Sequence, residues 1–135
     1  MKAELLATGD EIRTGALVDS NSAYLAEHLE HHGVSVVRHS SVGDDLDDLT
    51  AVIKEIGARA DIAVATGGLG PTVDDRSAEA AARAAGVELV LDHQALANIE
   101  AFFKLLGRPF SESNRKQALI PRGAQCLPNA VGTAP

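Results

Sequence analysis

Adjacent carboxylates stand at three places that also carry glycine. Asp10-Glu11 follows Gly9, Asp44-Asp45 follows Gly43, and Asp74-Asp75 closes the stretch Thr66-Gly67-Gly68-Leu69-Gly70-Pro71-Thr72-Val73. A glycine-rich turn between a strand and a helix start presents free backbone N–H groups. The helix dipole adds partial positive charge there, so an anion such as phosphate can bind. A carboxylate beside that phosphate repels it unless a cation lies between them. Asp10, Asp44 and Asp75 on neighbouring loops would make an oxygen-rich pocket suited to Mg²⁺ or a similar hard cation. Such an ion cancels the repulsion, and it can activate a water or polarise a phosphorus–oxygen bond.

Each residue also has a structural role open to it. Thr72 to Asp75 has the spacing of a capping box, and acids are stabilised near a helix N-terminus. An Asp N-cap would account for one of Asp44 and Asp45. Asp10 and Glu11 fall in a loop where no helix cap demands them. Asn21 can be a cap and nothing more. The glycine stretch is not a Walker motif, since no Gly-Lys-Ser/Thr follows. It is not a dinucleotide fingerprint, since Val73 stands where the third glycine belongs. His31-His32 sits at a helix end, where positive charge is favourable, and no histidine pair has metal-ligand spacing. Cys126 reads as a small buried residue.

The elements that must position these loops follow from pattern. Ala3 to Thr8 reads as a first strand, short and mostly apolar. Asp19-Ser20-Asn21 starts a helix carrying Leu25, Ala26 and Leu29, closed by Gly33. Val34 to Val37 is a second strand, with room to run to Val42. Leu46, Leu49, Val52, Ile53 and Ile56 form the apolar stripe of the next helix. Ile62 to Ala65 is a third strand. An alanine-rich helix spans Ser77 to Ala85, and Val87 to Leu91 is a short fourth strand or extended piece. Asp92 caps a helix with Leu96, Ile99, Phe102, Phe103 and Leu106 inside. Ser113 to Leu119 reads as a short helix, Ala124 to Leu127 as a strand, and 128–135 as loop. Alternating strands and helices predict an α/β fold, a three-layer α/β/α sandwich with a mostly parallel sheet. Ligands of such folds sit outside the C-terminal strand ends, where the three acidic loops emerge.

The chain has 135 residues, 45% apolar, enough for one domain with a real core. Its net charge is −7, with no basic cluster, which argues against nucleic acid as a partner. No apolar run reaches the ~20 residues that span a membrane, and the N-terminus lacks a signal peptide's apolar core. One cysteine cannot form an internal disulfide. These features together predict a cytoplasmic setting.

Gly9-Asp10-Glu11-Ile12 with Gly15, Asp19, Asn21, Leu25-Ala26, Leu29 and Gly33 resembles the molybdopterin-binding (MoaB/Mog-like) domain. Gly67-Gly68-Leu69-Gly70-Pro71-Thr72 with Asp74-Asp75 narrows the resemblance to the CinA (competence/damage-inducible) family, because the molybdopterin enzymes usually carry threonine where Leu69 stands. Asn114-Arg115-Lys116-Gln117-Ala118 and Asn129-Ala130-Val131-Gly132-Thr133-Ala134-Pro135 resemble later motifs of that family. Ser77 replaces a usual threonine and keeps the hydroxyl. The resemblance implies divalent-metal-dependent (Mg²⁺, Mn²⁺ or Co²⁺) hydrolysis of ADP-ribose to AMP and ribose 5-phosphate. The alternatives are adenylyl transfer to molybdopterin, or nucleotide binding without catalysis. It implies catalytic roles for Asp75 and Asp44, and a metal held by Asp10, Asp44 and Asp75. Gly67, Gly68, Gly70, Thr72, Asp74, Asn21, Asn129, Gly132 and Thr133 would line the nucleotide or pterin pocket, with Arg115 and Lys116 as countercharge. A homo-oligomer is expected by the same resemblance. The family's last motif normally continues with glycine and a further strand, so the domain, here 1–135, is expected to extend past Pro135.

Overall fold

Strand β1 (Lys2–Thr8) is the most buried element of the chain, and no residue from Ala3 to Thr8 is more than 4% exposed. It lies between β2 (Ser35–Val42) and β3 (Ile62–Thr66), both parallel to it. Leu5 faces His39 on one side and Val64 on the other. A parallel strand covered on both faces reads as a near-continuous apolar run, as this one does. The computed structural model describes residues 1–135, which form two compact units, Met1–Gly68 and Leu69–Pro135.

In the first unit two helices connect the parallel strands. Helix α2 (Ser20–His31) starts at Asp19, whose side chain accepts the Ser22 N–H at 3.0 Å. Helix α3 (Leu46–Arg59) starts at Asp45, which accepts the N–H groups of Asp47 and Asp48. Leu49, Thr50 and Ile56 form its buried stripe. A one-turn helix α1 (Asp10–Arg13) occupies what the sequence pattern presents as an open loop.

One residue of β1 breaks the apolar pattern. Glu4 is 2% exposed and takes two charge-assisted bonds from Arg59 at the end of α3, Nε to Oε1 at 2.7 Å and Nη2 to Oε2 at 2.9 Å. The Arg59 hydrogen bonds hold the Glu4 carboxyl below the usual glutamate range against the upward push of burial, aided by the charges of Arg59 and Arg38. Stability from this pair is therefore present above the ordinary glutamate pKa and lost as pH falls through the folded one. Glu4→Gln is expected to melt several degrees below wild type at pH 7, with the gap closing toward pH 3. A gap that stays constant with pH would show that the pair contributes through packing alone.

The second unit holds α4 (Ser77–Ala85), β4 (Leu89–Leu91), α5 (His93–Leu105), α6 (Glu112–Arg115), a 3₁₀ turn (Lys116–Ala118) and β5 (Leu119–Pro121). Strands β4 and β5 pair antiparallel, Val90 opposite Ile120. Ala95, Ile99 and Ala118 form the buried core, with Leu91, Leu96, Phe103, Phe110 and Cys126 against it. Burial, with the Asp92 charge, pushes the Cys126 thiol up.

Three expectations fail here. The segment 124–127 forms no strand; the strand comes earlier, at Leu119–Pro121. The helix at 113–119 is only α6 plus the 3₁₀ turn, because its last residues are drawn into pairing with β4. Pro121 ends this edge strand, where a missing N–H is tolerated. Leu106 is 50% exposed, since α5 ends at Leu105 and the chain turns away. The α/β class with a parallel sheet holds. No helix is long and apolar enough to cross a membrane.

Candidate functional site

In the first unit the fold brings Asp10 and Asp44 together. Gly9 starts α1, and its carbonyl accepts the N–H groups of Ile12 and Arg13. Asp10 and Glu11 therefore sit in a helical first turn, a local reason for acids that sequence alone did not supply. The Asp10 N–H donates to Asp44 Oδ2 at 3.3 Å, and Asp10 Oδ1 accepts from Arg13 Nε at 3.1 Å. Asp44 is available for this because Asp45 caps α3. Asn21 is exposed in the first turn of α2, and the cap there is Asp19.

The contact is between the Asp10 backbone and the Asp44 carboxylate, while the Asp10 carboxylate is paired with Arg13. Carboxylates remain the hard-oxygen donors on these two loops. That chemistry fits a divalent cation that keeps most of its waters and takes one or two carboxylates. Within neither unit do three His, Cys, Asp or Glu side chains converge in a metal-holding group. The expected metal set is divided, Asp10 and Asp44 in the first unit and Asp75 in the second.

The first unit ends on Gly67 and Gly68, both with positive φ, 91° and 65°. A side chain at Gly67 would run into the Thr8 carbonyl oxygen at the end of β1. Close packing thus explains this glycine without a ligand.

In the second unit Asp75 organises the rest of the turn. Its Oδ2 accepts the Thr72 N–H at 2.9 Å and the Thr72 hydroxyl at 2.6 Å, and its carboxylate also takes the Gly70 N–H. A side chain at Gly70 would meet this carboxylate. Helix α4 begins only at Ser77, so Thr72–Asp75 is a separate turn and not the helix's capping box. The backbone N–H groups expected to hold phosphate instead hold the loop's own carboxylate. Burial pushes Asp75 up, but the Thr72 hydroxyl, the N–H groups of Thr72 and Gly70 and the Lys116 charge outweigh it. The carboxyl rests below the ordinary aspartate range. Lys116 Nζ donates to the Thr72 carbonyl. Arg115 lies 3.8 Å from Glu112, and Asp74 is exposed.

The C-terminal loop closes on itself. Asn129 Nδ2 donates to the Ala134 carbonyl at 2.8 Å, and its Oδ1 accepts the Val131 N–H. Asn129, Gly132 and Thr133 line a small cavity with Ala95, Asn98 and Phe102. Gln117, which residue-type reasoning passed over, joins this loop to the glycine turn. Its Nε2 donates to Thr133 Oγ1 at 3.0 Å and to the Leu69 carbonyl at 3.3 Å. The one signal for it in sequence was its place beside Lys116 in the Asn114–Ala118 motif.

Residues 4–134 match the family described as "Probable molybdopterin binding domain". A CinA-like protein of Desulfosudis oleivorans is 50% identical over the whole chain. The chain spans about one third of the length of the curated relatives it matches, 32–34% for three of them. The structure of a CinA protein of unknown function from Thermoplasma acidophilum superposes with a TM-score of 0.90 at 36% identity, covering 99% of this chain and 78% of that one. The molybdopterin biosynthesis enzyme MoaB of Thermus thermophilus shares the fold, with a TM-score of 0.58 at 18% identity over 88% of this chain and 77% of that one. The chain belongs to the molybdopterin-binding domain family, and within it to the MoaB/Mog-like domain of the CinA proteins.

Proposed function

We propose that this chain binds a phosphorylated pterin or nucleotide, with a phosphate seated on the Leu69–Asp75 turn. One observation carries the reading. The Gly70 and Thr72 N–H groups and the Thr72 hydroxyl already converge on an oxyanion, the Asp75 carboxylate. Donors arranged for one oxyanion suit another, so a phosphate oxygen can replace that carboxylate. Lys116, held against Thr72, supplies countercharge.

Two reactions follow from such a site. The family description favours a molybdopterin ligand, and adenylyl transfer to it from ATP would be the reaction. The second reaction, hydrolysis of ADP-ribose, rests on the motif resemblance alone, with Leu69 standing in the turn where the molybdopterin enzymes carry threonine. In that reaction water adds to one phosphorus and the bridging oxygen leaves with the other phosphate, giving AMP and ribose 5-phosphate. Among the first unit's residues, Asp10 and Asp44 are the candidates to hold a divalent metal, which would supply charge neutralisation and activation of water. Asp75 is ionised at neutral pH and too weak a base to take a proton while bonded to Thr72. Its part is to give up the turn's donors to phosphate and place its charge beside the reacting group.

The test is direct. The protein is incubated with ADP-ribose and Mg²⁺, Mn²⁺ or Co²⁺, and in parallel with molybdopterin, ATP and each metal. AMP and ribose 5-phosphate in equal amounts support hydrolysis, and adenylylated pterin supports transfer. Neither product, together with no calorimetric binding of AMP or inorganic pyrophosphate, removes the whole reading.

A further inference from the structure

Gln117 is 8% exposed, and its Oε1 is buried with no hydrogen-bond partner. The side chain cannot be turned round to cure this. Leu69 offers a carbonyl, which has no hydrogen, so the amide nitrogen must face it, 3.3 Å away. The same nitrogen reaches Thr133 Oγ1 at 3.0 Å. The amide is thereby fixed between the glycine turn and the C-terminal loop with its acceptor unused. Buried acceptors without donors are uncommon in folded proteins and call for an explanation. No N–H or O–H of this chain supplies one.

We propose that Gln117 is a specificity residue for the ligand, its Oε1 accepting a hydrogen bond from an N–H or O–H of the ligand's base or sugar. Phosphate cannot satisfy this oxygen, because an ionised phosphate offers acceptors only. The residue therefore reads the part of the molecule that the Leu69–Asp75 turn does not. This rests on the reading of the turn as a phosphate site. It narrows the ligand to a phosphorylated compound whose other end carries a donor, such as an amino group on a heteroaromatic ring or a sugar hydroxyl.

Calorimetry with four probes separates the possibilities: inorganic pyrophosphate, AMP, purine riboside 5′-monophosphate, which lacks the amino group, and 2′,3′-dideoxy-AMP, which lacks the hydroxyls. Wild type should bind one of the two reduced nucleotides about tenfold more weakly than AMP, and which one identifies base or sugar as the donor. Gln117→Met should bind AMP about tenfold more weakly, lose that discrimination, and bind pyrophosphate within twofold of wild type. A purely structural Gln117 predicts instead that pyrophosphate and AMP weaken together, which would overturn the proposal. Equal affinity of wild type for all three nucleotides also overturns it, without any variant having to fold. Binding of neither AMP nor pyrophosphate by wild type removes the phosphate reading itself.

Discussion

Gly67→Ala is expected to fold with a stability deficit of about 2–5 kcal/mol, read as a lower urea midpoint at unchanged slope. Two costs act at this position. The residue adopts φ of 91°, where an alanine side chain crowds its own backbone, worth about 1–2 kcal/mol. The added methyl also runs into the Thr8 carbonyl, a backbone atom at the end of the most buried strand, which cannot swing aside as a side chain would. Overpacking of that kind costs about 1–3 kcal/mol. Gly33→Ala isolates the first cost, because Gly33 has φ of 76° and open space where a side chain would stand. It should lose only about 1–2 kcal/mol. Equal losses at the two positions would mean that the contact with Thr8 adds nothing.

This contrast bears on how far the chain could be understood before its fold. The strands and longer helices of the first unit were legible because their signals are local: the apolar run of β1, the stripe of α3, the Asp caps at 19 and 45; Asp92 marked α5 of the second unit in the same way. Contacts between distant residues were not. Glu4 and Arg59 are 55 positions apart, and nothing near either announces a buried ion pair. The clustered glycines pointed to a ligand, yet Gly67 is required by a carbonyl 59 positions away. The fate of Asp75 was hidden for a subtler reason. The threonine–aspartate spacing was visible, but whether it caps a helix or closes a free turn depends on where α4 begins. Strand β5 was misplaced because its partner β4 lies about 30 residues away, and pairing overrode the local helical pattern.

Asp75→Asn is the substitution with the largest expected functional effect. If ADP-ribose hydrolysis is the reaction, turnover should fall at least about 100-fold, because the variant keeps the shape of the side chain and removes its charge. Affinity for AMP should be unchanged or higher. An uncharged side chain no longer repels phosphate and competes less well for the Gly70 and Thr72 N–H groups. Lower turnover with tighter binding would set Asp75 apart from a residue that merely shapes the turn, for which both quantities fall. Gly70→Ala approaches the same point by another route, since its methyl would press the carboxylate off Thr72. It should bring the Asp75 pKa back up toward the ordinary value. The pH dependence supplies an internal check. Because the folded pKa of Asp75 is depressed, the stability it contributes is present above the unfolded aspartate value and lost as pH falls through the folded one. The stability difference between wild type and Asp75→Asn should be level from pH 8 to pH 5 and shrink only in more acidic solution. A difference that changes across neutral pH would show that Asp75 is not the ionised anchor of this turn. Turnover within threefold of wild type would take it out of the chemistry altogether.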